Sequence, residues 1–115
     1  MEEYVKDHSE RKDRMQIKVK QQDHGITASL CGELDHHTAM QTRESLDRLI
    51  TKYRDTDLVL DLKNLSFMDS SGLGVIIGRY KKLKSNGHNL YVTNANRQID
   101  KVMSISGLYS IIKKL

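Results

Sequence analysis

The order of hydrophobic patterns in this 115-residue chain implies an α/β domain built on a mixed β-sheet flanked by helices. Two observations carry that reading. Apolar residues first alternate with polar ones at period two, as in a hairpin of half-buried strands. They then switch between stretches at helical spacing and short apolar runs, which is the strand–helix alternation of an α/β unit. The length limits the chain to one domain, and an apolar content of 37% suffices for a single modest core.

Residues 1–14 hold five acidic and four basic side chains and almost nothing apolar, so they are expected to form a flexible charged tail ahead of a domain spanning 15–115. Met15, Ile17 and Val19 alternate with Gln16, Lys18 and Lys20, which predicts a strand; Asp23-His24-Gly25 then reads as a hairpin turn. Ile26, Ala28 and Leu30 continue the alternation on a second strand that ends at Cys31-Gly32. Ala39, Met40, Leu46, Leu49, Ile50 and Tyr53 recur at threes and fours, predicting a helix whose other face carries Arg43, Glu44, Asp47 and Arg48. Asp35 and Thr38 are alternative caps for its start.

Leu58, Val59, Leu60 and Leu62 form a nearly continuous apolar run, expected of a central strand covered on both faces. Leu73, Ile76, Ile77, Tyr80 and Leu83 predict a second helix, stopped by Asn86-Gly87, with Lys81, Lys82 and Lys84 near the end where cations suit the dipole. Leu90-Tyr91-Val92 is a further strand, and a third helix over about 96–104 turns Ile99, Val102 and Met103 inward. Beyond Gly107, Tyr109, Ile111 and Ile112 fit either a last strand or a helical turn. Met40, Met68, Met103 and the tyrosines at 53, 80, 91 and 109 are assigned to the core.

Composition excludes several classes of function. The net charge of +4 comes from 19 basic and 15 acidic residues interspersed along the chain, unlike a nucleic-acid arm, so no direct nucleic-acid partner is expected. The single cysteine, Cys31, rules out an internal disulfide framework and a multi-cysteine metal site, which fits a reducing compartment. The longest apolar runs fall far short of the about 18 residues of a membrane span, and no apolar signal sequence opens the chain. A soluble, cytoplasmic protein without a membrane partner is expected.

The sharpest local feature is Asp69-Ser70-Ser71-Gly72-Leu73-Gly74, where a strand passes into a helix. The first N–H groups of a helix lack internal partners and its dipole favours anions there, so the segment suits either a simple cap by Asp69 or Ser70 or an anion site. Gly72, Gly74 and Gly78 are one residue too widely spaced for a dinucleotide loop, and no Lys-Ser or Lys-Thr pair follows as in a Walker loop. A serine nucleophile lacks the preceding glycine of a nucleophile elbow, and nothing brings His36, His37 or His88 to Ser70 as a base, so no catalytic residue is assigned. Glu33-Leu34-Asp35-His36-His37 is a second polar cluster after a strand, without the spacing of metal ligands, and reads as a solvated loop or a partner-recognition loop. Loops at the carboxyl ends of such strands gather at one edge, which would bring Asp35 and Ser70 onto one surface.

Gly32-Glu33-Leu34-Asp35-His36-His37-Thr38-Ala39 and the run from Leu65-Ser66-Phe67-Met68-Asp69-Ser70-Ser71-Gly72 through Leu73-Gly74-Val75-Ile76-Ile77-Gly78-Arg79-Tyr80-Lys81 resemble the anti-sigma factor antagonists of the STAS family. The similarity is greatest to the sporulation branch that acts on the sigma-F anti-sigma factor, it covers about 15–112, and Ser106-Gly107-Leu108 also fits. It implies a single STAS-like domain that works as a protein switch and needs no cofactor. The unphosphorylated form would bind an anti-sigma factor that is also a serine kinase holding ATP or ADP, and so release the sigma factor. Ser70 would be the serine that this kinase phosphorylates, and a metal-dependent serine phosphatase would reverse the modification. Asp35, Asp69, Ser70, Ser71 and Gly72 would form the partner-binding set. Family members usually continue into a C-terminal helix, which this chain is expected to lack or hold in reduced form, and they usually lack so long a charged N-terminal segment.

Physical chemistry gives the implied switch a mechanism. Phosphoserine brings about −1.5 to −2 charges, which a helix N-terminus tolerates in the free domain. Against a partner, beside Asp35 and Asp69, the same charge is repulsive; a penalty of roughly 2–5 kcal/mol would weaken binding by roughly 30-fold to several thousandfold. Two other readings stand beside this one: a STAS module of a general-stress sigma pathway, and, from a different class, a small nucleotide-binding domain.

Overall fold

The computed structural model describes residues 2–6, 15–23 and 25–115. Strands β1 (Glu2–Lys6), β2 (Met15–Gln22) and β3 (Gly25–Leu34) are followed by helix α1 (Ala39–Lys52), strands β4 (Asp57–Asp61) and β5 (Leu65–Met68), and helix α2 (Ser70–Ser85). Strand β6 (Leu90–Thr93), helix α3 (Arg97–Ile105), a 3-10 turn (Leu108–Ser110) and strand β7 (Lys113–Lys114) complete the order. Six strands run β1-β2-β3-β4-β6-β7, and β5 pairs with β3 off this path. β1, β2 and β3 are antiparallel neighbours, whereas β4, β5, β6 and β7 join by parallel pairing. The mixed sheet follows from the chain's order, because a hairpin needs only a tight turn and each later parallel step needs a crossover.

Buried positions align across the sheet. Ile17 lies opposite Leu30 and Val19 opposite Ala28, Ala28 beside Leu60, and Leu60 beside Val92, so one face is continuously apolar. It forms one core with Leu46, Leu49 and Ile50 of α1, Val75, Ile76 and Leu83 of α2, and Ile99 and Met103 of α3. The alternate positions Asp57, Val59 and Asp61 are only half-buried, so β4 is internal to the sheet but covered on one face, not two. Val59 alone made the run look continuous.

Three further differences have physical causes. Within the expected tail, Glu2–Lys6 pairs with β2 as an edge strand, with Glu2 opposite Lys20 and Lys6 opposite Gln16. Ladder hydrogen bonds are made by the backbone, and an open strand edge accepts a partner of almost any composition. Residues 7–14, and His24 of the expected hairpin turn, lie outside the described residues; Gln22 pairs with Gly25 across that turn. β5 lies beyond the apolar run over 58–62 that the sequence marks as the strand before α2: its four residues have a buried–exposed–exposed–buried pattern that lacks a period of two. Its open edge is closed by side chains from the start of α3, since Asn96 Nδ2 donates to the carbonyl of Leu65 at 3.2 Å and Gln98 Nε2 to that of Met68 at 3.2 Å. Past Gly107 the chain forms both of the expected alternatives in short form, a 3-10 turn and then a strand displaced to Lys113–Lys114.

α1 and α2 lie against each other and are held by an ion pair. Arg79, only 8% exposed, places Nε 3.0 Å from Asp47 Oδ1, and Lys82 Nζ lies 3.3 Å from the same oxygen. No described helix is long and apolar enough to cross a membrane.

Candidate functional site

The site grows from the ends of two parallel strands. β3 and β5 are in register at Leu34 and Met68, so Asp35 and Asp69 leave the sheet side by side. The N–H of Asp69 donates to the carbonyl of Leu34 at 3.3 Å. A register shift between Gly32 and Glu33 sits just before this point, with Gly32 at φ 126°, a conformation that favours glycine.

Asp69 is the N-cap of α2. Its backbone is extended, and Oδ1 accepts the N–H groups of Ser71 at 2.9 Å and Gly72 at 3.2 Å. Oδ2 accepts the N–H of His36 at 3.2 Å. The two polar clusters of the sequence are thus joined through one carboxylate. Two of the first amides of α2 are already used by this internal anion, so the helix start is an occupied cap and not an open phosphate cradle.

The other cluster is shaped by Asp35. Its Oδ1 accepts the N–H of His37 at 2.8 Å and of Thr38 at 3.1 Å, and its carbonyl accepts the N–H of Ala39 at 2.9 Å. Thr38 occupies the cap position of α1 but makes no side-chain cap bond; its hydroxyl turns back and donates to the carbonyl of Glu33 at 2.7 Å. Of the two candidate caps, Asp35 therefore satisfies the backbone of the turn. The Thr38 hydroxyl oxygen in turn accepts the N–H of Asp35 at 3.1 Å.

Ser70, the first residue of α2, is exposed; Ser71 is half-buried and Gly72 is buried. Gly72 is needed for close packing, because a Cβ there would lie 2.5 Å from Met68 Cγ and 2.7 Å from the Leu34 carbonyl oxygen. It lets α2 start directly against the end of β3, which keeps Ser70 beside the Asp35 loop. Among the sequence-derived site residues, Asp35, Asp69, Ser70, Ser71 and Gly72 all come together here, with Gly72 inside and the others around the surface.

Beside Ser71 a shallow groove of about 340 Å³ opens between α1 and α2, lined by His36, Met40, Arg43 and Gly74 among others. Met40 is 66% exposed on its rim, not in the core as expected. The spacing contained the reason: Met40 lies three residues before Arg43 and seven before Asp47, on the polar face, one residue off the buried stripe. Met68 and Met103 are buried, and Tyr53, Tyr80 and Tyr109 pack partly buried against the core.

Comparison with known proteins agrees with this architecture. Residues 16–115 match the STAS domain model. The chain is 41% identical over 98 residues to the anti-sigma F factor antagonist of Paenibacillus polymyxa, covering 85% of this chain and 84% of that protein. It is 36% identical over 96 residues to the anti-sigma-B factor antagonist of Bacillus subtilis, covering 84% of this chain and 86% of that protein. Among solved structures, the anti-sigma factor antagonist SpoIIAA in its unphosphorylated form superposes with a TM-score of 0.72 at 29% identity, over 86% of this chain and 87% of that one. The phosphorylated form of SpoIIAA, a Bacillus cell fate determinant, superposes with a TM-score of 0.66 at 29% identity, over 86% and 90%. Fold and match together define the class, a STAS domain. The chain belongs to the STAS family.

Proposed function

We propose that this protein is an anti-sigma factor antagonist of the sporulation type. Unphosphorylated, it binds an anti-sigma factor that is also a serine kinase holding ATP or ADP, and the sigma factor is released. In the reverse step the Ser70 hydroxyl oxygen attacks the γ-phosphorus of the kinase's ATP, the bond to the β-phosphate oxygen breaks, ADP leaves, and the hydroxyl proton passes to a base on the kinase. A metal-dependent serine phosphatase restores the hydroxyl. The protein's own part is that of a substrate and binding partner, and the catalytic groups belong to the enzymes that act on it.

The observation that carries this reading is the exposed Ser70 at the first position of α2, beside the Asp35 loop and on the same rim of the sheet. A neutral hydroxyl there fits within a protein interface. A phosphoserine brings about −1.5 to −2 charges next to Asp69 and Asp35, with the Ser71 and Gly72 amides already bonded to Asp69. The charge thus adds to existing negative charge and must be desolvated on association. Asp35, Asp69, Ser70, Ser71 and Gly72 form the proposed partner-binding set.

Incubation with the anti-sigma kinase and ATP should add one phosphate, located at Ser70 by mass spectrometry and lost in Ser70→Ala. Phosphate on another residue would remove the basis of the assignment. The 36% identity to an anti-sigma-B factor antagonist favours one second reading, a general-stress pathway using a different sigma factor. Recovering the kinase bound in cell extract distinguishes the two pathways.

A further inference from the structure

Between α1 and α2, the groove beside Ser71 has an apolar rim, an open floor and a basic wall. Met40 stands on the rim 66% exposed, and the floor is open because a Cβ on Gly74 would meet nothing within 4 Å. Single exposed apolar side chains are ordinary on protein surfaces, but this one borders a concavity that begins one residue from Ser70. A methionine side chain is unbranched and flexible, so it can mould itself to a partner.

Arg43, on the groove's wall, carries an unanswered charge. Asp47, one turn further along α1, is already shared by Arg79 Nε at 3.0 Å and Lys82 Nζ at 3.3 Å, and Arg43 forms no ion pair among the described residues. Burial lowers the pKa of Arg79 most, Asp47 opposes it, and Arg43 lowers it further, so the two guanidinium groups repel each other. The neighbouring rim has the opposite sign, since Asp35 and Asp69 leave the sheet there side by side.

The geometry points to this groove as a second contact for the anti-sigma factor, which places an apolar side chain against Met40 and a carboxylate against Arg43. The inference rests on the proposed binding role of the Ser70 surface and adds the chemistry of the partner segment that docks beside it. The groove is too shallow to enclose a small molecule as ligand cavities do, so its occupant is a stretch of protein. A surface that is basic in the groove and acidic at the Asp35 and Asp69 rim accepts its partner in one orientation, and this fixes how Ser70 is presented to the kinase.

Calorimetric titration of the full chain with the anti-sigma factor tests the contact. Met40→Ala and Arg43→Glu should each weaken binding by about tenfold or more, and the loss in Arg43→Glu should shrink as salt is raised. Gly74→Leu, which fills the groove from its open floor, should weaken binding by about tenfold without lowering the denaturation midpoint. Lys84→Glu makes the same charge change about 15 Å beyond Gly74 along α2 and should leave affinity within about twofold of wild type. Wild-type affinity in Met40→Ala, Arg43→Glu and Gly74→Leu would overturn this inference and leave the Ser70 assignment standing. Equal losses in Arg43→Glu and Lys84→Glu would trace the effect to net charge and overturn it too. If Gly74→Leu instead abolishes self-association of the chain in sedimentation and retains anti-sigma binding, the groove belongs to a second copy and the inference falls. Should Gly74→Leu fail to fold, the exposed positions Met40 and Arg43 decide. Failure of the wild-type chain to bind the anti-sigma factor refutes the underlying function instead.

Discussion

At Gly72 an added Cβ would stand 2.5 Å from Met68 Cγ and 2.7 Å from the Leu34 carbonyl oxygen, whereas at Gly74 it would meet nothing within 4 Å. The same residue type therefore has opposite consequences two positions apart. Gly72→Ala is expected to destabilise the domain by about 1–3 kcal/mol, because neither the backbone oxygen nor the buried methionine can withdraw without moving the start of α2. Gly74→Ala is expected to stabilise it by about 0.5–1 kcal/mol, by relieving the entropy loss of a glycine inside a helix. Urea denaturation midpoints of the two variants should move in opposite directions. Nothing in the sequence separates the two glycines; the contacts from β3 and β5 are what pack Gly72 shut.

The contact of α1 with α2 depends on an ion pair that spacing along either helix does not disclose. Burial pulls the Arg79 guanidinium below its ordinary pKa, Asp47 opposes that pull, and Arg43 adds to it. The group stays charged throughout the accessible pH range, so it needs its counter-charge. Asp47→Ala should therefore lower stability by about 1–3 kcal/mol, whereas Lys82→Ala, removing an exposed partner of the same carboxylate, should change it by less than about 1 kcal/mol. Equal effects of the two substitutions in chemical denaturation would contradict this division of roles.

At the other end of the chain, Asp100 of α3 accepts from Tyr109 Oη at 2.6 Å and Lys114 Nζ at 2.9 Å, tying the 3-10 turn and β7 to α3. The Tyr109 hydrogen bond, and next that of Lys114, hold the Asp100 carboxyl below its ordinary value; burial and Asp100 push Tyr109 upward. Because the Asp100 value is depressed on folding, its contribution is present above the unfolded value of about 3.9 and is lost as pH falls through the lower folded value. An NMR titration of Asp100 should give a midpoint below about 3.9, and Tyr109→Phe should raise it.

For the whole domain, the core and the switch surface are separate. Ser70 is exposed and outside the apolar cluster, so Ser70→Asp should leave the denaturation midpoint within about 0.5 kcal/mol of wild type. The same substitution should weaken binding of the anti-sigma factor by roughly 30-fold or more, read by calorimetry. Unchanged affinity would count against charge as the cause of release.

The three helices were legible because an amphipathic stripe repeats every three to four residues, and the Asp69 cap lies next to the stripe it begins; the Asn96 cap of α3 came only with the structure. β2 and β3 were legible through their alternation. β1 and β5 were not, because both add to the sheet by backbone pairing with little side-chain periodicity to announce it. The motif around Ser70 and the loop around Asp35 were likewise plain as separate chemical features, each written in adjacent residues. That they share one surface followed from the rule that loops after parallel strands gather at one edge, but the bonds that join them were decided by tertiary structure. The pairing of Leu34 with Met68, and the reach of one Asp69 oxygen to His36, depend on strand register between segments 33 or 34 residues apart, and backbone hydrogen bonds that set register leave no mark in local side-chain pattern.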